Sequence, residues 1–294
     1  EPPGEREIRA CIDAGGLRAV LCFCRKNELD FLGTLPLEVL HLQTTSAPAQ
    51  VLVTLTRLRE LHVDSCAGAL ALARMPELEW FRIVEAGKGQ LDDLWASGHE
   101  RLRSLAVGRY QERDLLPLER LPALSRLFIN HARKLESLDG LAGLTGLRHL
   151  DLEACSGLAD LSAFAGFLPL TSLALTNCNA IADLTPVAGL GKLRSLVIDM
   201  RKIPTLAPLA GHERLEFIRL IGSRVAQEEI DTLLELPALR FLQARRQAWL
   251  REVEGPSAGP WIHIQDVYTM DESVAGPYHR MISEARTADG YGVT

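Results

Sequence analysis

Two sets of side chains in this chain could do chemistry. His149, Asp151 and Glu153 alternate along HLDLE, so an extended backbone would point all three to one face. His41 and His62 recur one sequence period apart, with Asp64 two residues beyond the second. An imidazole beside carboxylates is a donor set for a divalent ion, or a base with its orienting group. The same residues are also what the polar face of a binding surface presents. No G-x-S-x-G, H-E-x-x-H or Gly-rich phosphate loop with Lys occurs, so no catalytic residue is assigned. No C-x-x-C is present either, which leaves a zinc site of that type without ligands. The expectation is no metal, no cofactor and no enzyme.

Whether those faces exist depends on the elements that carry them. From Leu147 to Leu220 the chain reads LRHLDLEACSGLADLSAFAGFLP, LTSLALTNCNAIADLTPVAGLGK, LRSLVIDMRKIPTLAPLAGHER and LEFIRL. The same L-x-x-L-x-L phrase opens units at Leu17, Leu37, Leu58, Leu78, Leu102, Leu124, Leu147, Leu170, Leu193, Leu215 and Leu239. A fixed period in the twenties marks a repeat array in which each unit covers its neighbour's core. The alternation in L-x-L predicts a short strand with one buried face, stacked in parallel on the next at about 4.8 Å. The return segments carry a second apolar trio, such as Leu158, Leu161 and Phe164, and are short enough to predict turns and 3₁₀ pieces. Gln90–Ser97 and Val225–Leu236 have the spacing and length of helices.

The repeated phrase, and IADLTPVAGLGKL over Ile181–Leu193 in particular, resembles leucine-rich repeats of the bacterial internalin-type or SDS22-like subclass. The resemblance implies an α/β fold: a right-handed solenoid or horseshoe. A parallel sheet would line its concave side, with turns, 3₁₀ pieces and short helices on the convex side. It also implies that Cys66, Cys155 and Cys178, each eight residues after its unit's first Leu, are structural thiols buried under the turn that leaves the strand. Cys22 takes an inward strand position, and Cys11 and Cys24 remain near the N-terminus without an even disulfide framework. Thiols buried at equivalent turns favour a reducing compartment, hence a cytoplasmic location.

Composition agrees with a long core. Apolar residues make up 47% of 294, and no apolar run reaches the roughly 20 residues that span a bilayer. The net charge is −6, and Arg251–Thr294 holds three Arg against seven Asp plus Glu, so the repeat body is close to neutral. Nucleic acid usually demands a basic face, so neither it nor a membrane is expected as a partner. Residues 1–16 read as an N-terminal cap, 17–247 as about eleven repeats, and 248–294 as a C-terminal cap and flexible tail. The tail is rich in Trp and Tyr, and alternation over Trp261–Tyr268 fits a strand.

In this family the residues flanking the inward leucines line the concave surface, where protein partners usually dock. Those positions include Trp80, Arg82, Arg126, Phe128, Asn130, His149, Asp151, Glu153, Asp199, Phe217, Arg219 and Arg245. Aromatics and Arg are the common anchors of interfaces. Trp80 with Arg82, Phe128 with Arg126, and Phe217 with Arg219 each sit two apart, on one outward face. The functional expectation is a non-enzymatic protein-binding module, of an immunity or regulatory kind. An exported effector or adhesion protein is the second reading, and a metal-dependent enzyme built on His149, Asp151 and Glu153 is the third.

Overall fold

A computed structural model describes residues 19–22, 30–42, 47–48, 52–68, 70–166, 169–222, 225–245 and 261–265. The expected cap over 1–16, together with Cys11, Cys24, Arg246 and the tail apart from 261–265, lies outside the described residues.

Among the described residues, twelve strands form one open parallel sheet in chain order. They are β1 (Ala19–Cys22), β2 (Val39–Leu42), β3 (Glu60–Val63), β4 (Trp80–Ile83), β5 (Ser104–Gly108) and β6 (Arg126–Asn130). The series continues with β7 (His149–Glu153), β8 (Ser172–Thr176), β9 (Ser195–Met200), β10 (Phe217–Gly222), β11 (Phe241–Arg245) and β12 (Trp261–Gln265). This is the expected leucine-rich-repeat solenoid. The strand expected within Trp261–Tyr268 pairs in parallel with β11, so the sheet continues past residue 247. A separate two-residue ladder joins Ala47–Pro48 to Cys66–Ala67.

Alternation makes this sheet two-faced. Burial along β6, β7 and β8 runs half-buried, buried, half-buried, buried, half-buried. Leu127, Ile129, Leu150, Leu152, Leu173 and Leu175 are the inward residues, none more than 2% exposed. Each buried Leu contributes about 1.5–3 kcal/mol, so the core is a sum of equal rungs rather than one centre.

The convex side closes that core with the apolar trios. 3₁₀ turns occupy Leu72–Arg74, Leu116–Arg120, Leu141–Gly143, Ser162–Phe164, Thr185–Gly189 and Ala207–Leu209. The two helical expectations are met by α1 (Asp92–Ser97) and α2 (Gln227–Leu234). His99 and His212 replace the Leu or Met that most units place three residues before the repeat start. Both are buried, and their Nε2 atoms lie 2.8 Å from the Leu72 carbonyl oxygen and 3.2 Å from that of Val187. Each imidazole thereby satisfies a polar group of an earlier turn inside the apolar column.

A second column fixes where the strands stop. Arg109, His131, Ala154, Asn177 and Gly222 each stand seven residues after the repeat's first Leu, with φ of 57°, 52°, 53°, 55° and 102°. This left-handed conformation turns the chain away while the N–H still reaches the next rung. Arg109 donates to Asn130 O at 2.8 Å, His131 to Glu153 O at 2.8 Å, Ala154 to Thr176 O at 2.7 Å and Asn177 to Asp199 O at 2.6 Å. Asn and Gly adopt this region readily, whereas Arg, His and Ala carry a strain of about 1–2 kcal/mol each.

The next residue in three units is the cysteine under the turn, and all three thiols are buried. Cys178 Sγ lies 3.3 Å from Leu152 O, and Cys155 Sγ lies 3.7 Å from Glu153 O. Cys155 is also hydrogen-bonded to the Cys178 thiol, and that hydrogen bond together with burial raises its own thiol far above the ordinary range. Burial alone pushes Cys66 up to about 11. These are free, buried thiols at the turn position.

Candidate binding face

Strand register converts the outward residues into three columns. The first runs Glu60, Trp80, Ser104, Arg126, His149, Ser172, Ser195, Phe217, Phe241. The second runs His41, His62, Arg82, Ala106, Phe128, Asp151, Ala174, Val197, Arg219, Gln243. The third holds Gly108, Asn130, Glu153, Thr176, Asp199 and Ile221. The sequence-predicted residues therefore do share one surface, spread from β4 to β10. Arg245 is placed only as the last residue of β11.

At the N-terminal end the imidazoles of His41 and His62 meet edge to face, ring centroids 5.3 Å apart. His41 Nε2 and Glu60 Oε1 are hydrogen-bonded at 2.6 Å, while His62 Nε2 lies 4.0 Å from Asp64 Oδ1. Burial, then Arg82 and His41, hold the His62 imidazole below its ordinary range, against the opposing pull of Asp64 and Glu60. Among the described residues, no group of three His, Cys, Asp or Glu side chains is arranged to hold a metal ion. His149, Asp151 and Glu153 share a face without converging as ligands.

The aromatic residues pair across strands rather than along them. The Arg126 guanidinium carbon lies 5.3 Å from the Trp80 ring centroid, reaching over Ser104 on the strand between. Arg126, two residues from Phe128 on its strand, thus makes a cation–π contact two rungs away, across the short Ser104 side chain. Phe217 corrects an expectation. It is only 3% exposed, because it stacks on Phe241 with centroids 4.8 Å apart and planes within 4°. Phe217 is therefore a packed rung of the C-terminal end and not an open aromatic anchor.

The centre of the face has the most unusual electrostatics. Phe128 and Ala174 flank Asp151 on either side, and Glu153 is its same-face neighbour. Burial, followed by repulsion from Glu153, pushes the Asp151 carboxyl up to about 6. Sequence reading placed Asp151 on the face but not its desolvation, which comes from residues 23 positions away on both sides. The buried His99 and His212 were missed as well. Their signal was present: a His where the stacked repeats otherwise show Leu or Met.

With the geometry in hand, the chain can be set beside known structures. It is similar to internalin C2 of Listeria monocytogenes at 27% identity, covering 51% of this chain and 65% of that one, with a TM-score of 0.43. It is similar to internalin F of the same organism at 19% identity, covering 89% and 84%, TM-score 0.43. It is also similar to the functional domain of InlJ from Listeria monocytogenes, which includes a cysteine ladder, at 17% identity over 78% and 54%, TM-score 0.47. The matched part thus spans under two thirds of internalin C2 and about half of the InlJ domain. No protein-family model and no curated protein matches the chain. Among the described residues, no helix is long and apolar enough to cross a membrane.

Proposed function

We propose that this chain is a non-enzymatic protein-binding module that docks its partner on the outward face of β4–β9, as an immunity-type or regulatory binder in a bacterial cytoplasm. The observation that carries the reading is the exposed arrangement itself. Trp80, Arg82, Phe128, Asp151, Glu153 and Asp199 are held at fixed register on a backbone laddered from strand to strand. Such an array loses little conformational freedom on binding, so its contacts are spent on the partner rather than on ordering. The half-buried Trp80 and Phe128 supply apolar area, and the charged groups around them set selectivity and encounter rate.

Affinity capture from a lysate of the source organism, run in parallel with a Trp80→Ala/Phe128→Ala variant, tests this. The expected result is a protein held by the parent and lost by the variant, with both melting alike. A partner held equally by both would remove the sheet face from the reading.

A further inference from the structure

We infer that the face over β6–β9 seats a basic segment of its protein partner, with a Lys or Arg side chain placed against Asp151 between Phe128 and Val197. This rests on the protein-binding reading above and names the chemistry of the partner. The first support is a contrast in pairing. Four carboxylates elsewhere are matched within the chain: Glu60 with His41 at 2.6 Å, Glu79 with Arg59 at 2.7 Å, Glu85 with Arg109 at 3.0 Å and Glu216 with Arg194 at 2.8 Å. Among the described residues, the side chains of Asp151, Glu153 and Asp199 have no ion pair or hydrogen bond. The nearby cation of the first column, Arg126, is drawn over Trp80 instead.

The second support is the shape and polarity of the surroundings. Ser172 and Ala174 on β8 and Ser195 on β9 are short, so nothing long rises between Asp151 and Asp199. Phe128 and Val197 in the second column give an apolar lining to either side of that gap. A Lys or Arg side chain fits such a surface, because its methylene stem packs on apolar groups while its head reaches the carboxylates. The third support is independent of charge. Asn130 Oδ1, in register with Glu153, is buried without a hydrogen-bond partner. Asn130 Oδ1 and the carboxylates of Asp151, Glu153 and Asp199 are acceptors, so a partner that satisfies them must bring donors. Burial has also pushed Asp151 towards its neutral form, a cost that an adjacent cation reverses.

The test uses the whole chain and three labelled 12-residue peptides, alternating Lys-Ser, Glu-Ser and Gly-Ser, read by fluorescence anisotropy at low and moderate salt. The expected result is binding of the Lys-Ser peptide at least tenfold tighter than of the other two. A combined Asp151→Asn/Glu153→Gln/Asp199→Asn variant should lose at least tenfold. A Glu228→Gln/Asp231→Asn/Glu235→Gln control at α2, with three charges likewise removed from the convex side, should bind as the parent does. Equal losses in both variants would reduce the effect to net charge and overturn the inference. So would preference for the Glu-Ser peptide, which would assign the face to an acidic partner. If Trp80→Ala/Phe128→Ala abolishes binding while the carboxylate variant does not, docking on the face stands and the basic-segment inference falls. If neither variant has any effect, both fall.

Discussion

Replacing Asp151 by Asn should make the protein more stable at neutral pH. The carboxyl sits at about 6 against an ordinary 3.8, because Phe128, Ala174 and the floor of the sheet strip its water and Glu153 repels its charge. One pKa unit corresponds to about 1.4 kcal/mol, so ionised Asp151 costs the fold as much as about 3 kcal/mol at pH 7. Partial solvent access lowers the expected gain to about 1–3 kcal/mol. The sign follows from proton binding. The folded state holds the proton more tightly than the unfolded chain, so between pH 6 and 4 acidification favours folding through this group. The advantage of Asn over Asp must therefore shrink as pH falls, and be nearly gone by about pH 4. Urea unfolding of parent and variant at several pH values, followed by circular dichroism, reads this directly. The difference between the two curves cancels whatever the other groups do. An Asn variant that is less stable at pH 7, or a gap that does not change with pH, would refute the reasoning. A residue that weakens the fold while facing solvent is one whose presence needs a reason outside stability.

Four further outcomes follow from packing and backbone geometry. His212→Leu should flatten acid sensitivity. Burial holds the His212 imidazole below its ordinary range, so stability is present above pH 6.5 and lost as pH falls through that value towards the folded one, a slope that a thermal melt series should show in the parent and not in the variant. Ala154→Gly should raise stability by about 0.5–1 kcal/mol in urea unfolding, since φ is 53° there and Gly removes the strain of a Cβ at some entropic cost. Gly108→Ala should cost about 1–3 kcal/mol or more, because a methyl there would overlap the Val84 carbonyl oxygen and come within 2.6 Å of Asn130 Oδ1. Leu150→Asp should unfold the rungs on both sides, as Leu150 is 1% exposed and a carboxylate there has no partner; hydrogen exchange would show protection lost across β6–β8.

Much of the fold was legible because its physics is local and repeated. L-x-L alternation sets inside and outside, the period sets which strand comes next, and the Cys at the eighth position marks where the chain leaves the strand. α1 and α2 were legible for the same reason: Gln90–Ser97 and Val225–Leu236 carry helical spacing inside return segments long enough to use it. The site was less legible, and the misses have one cause. In a stacked array the nearest neighbours of residue n lie one repeat away, not beside it in sequence. Arg126 sits two residues from Phe128 on one strand, yet it reaches over Trp80, two repeats earlier. The alternation of its own strand predicts an open Phe217, and Phe241, one repeat later, covers it.

The same rule explains why Asp151 is the most informative residue on the face. Read along the strand, it is one acid in HLDLE, no different from Glu153. Read across the strands, it lies in the middle stretch of its column, Ala106, Phe128, Asp151, Ala174, Val197, which is apolar but for this one carboxylate. Glu153 lies in the column Gly108, Asn130, Glu153, Thr176, Asp199, among polar side chains. An apolar column could have been filled by another Val or Phe at no cost to the sheet. A charge set there weakens the array by itself and is compensated only when something cationic covers it, which makes the stability gain of Asp151→Asn and the predicted loss of basic-peptide binding two readings of one interaction.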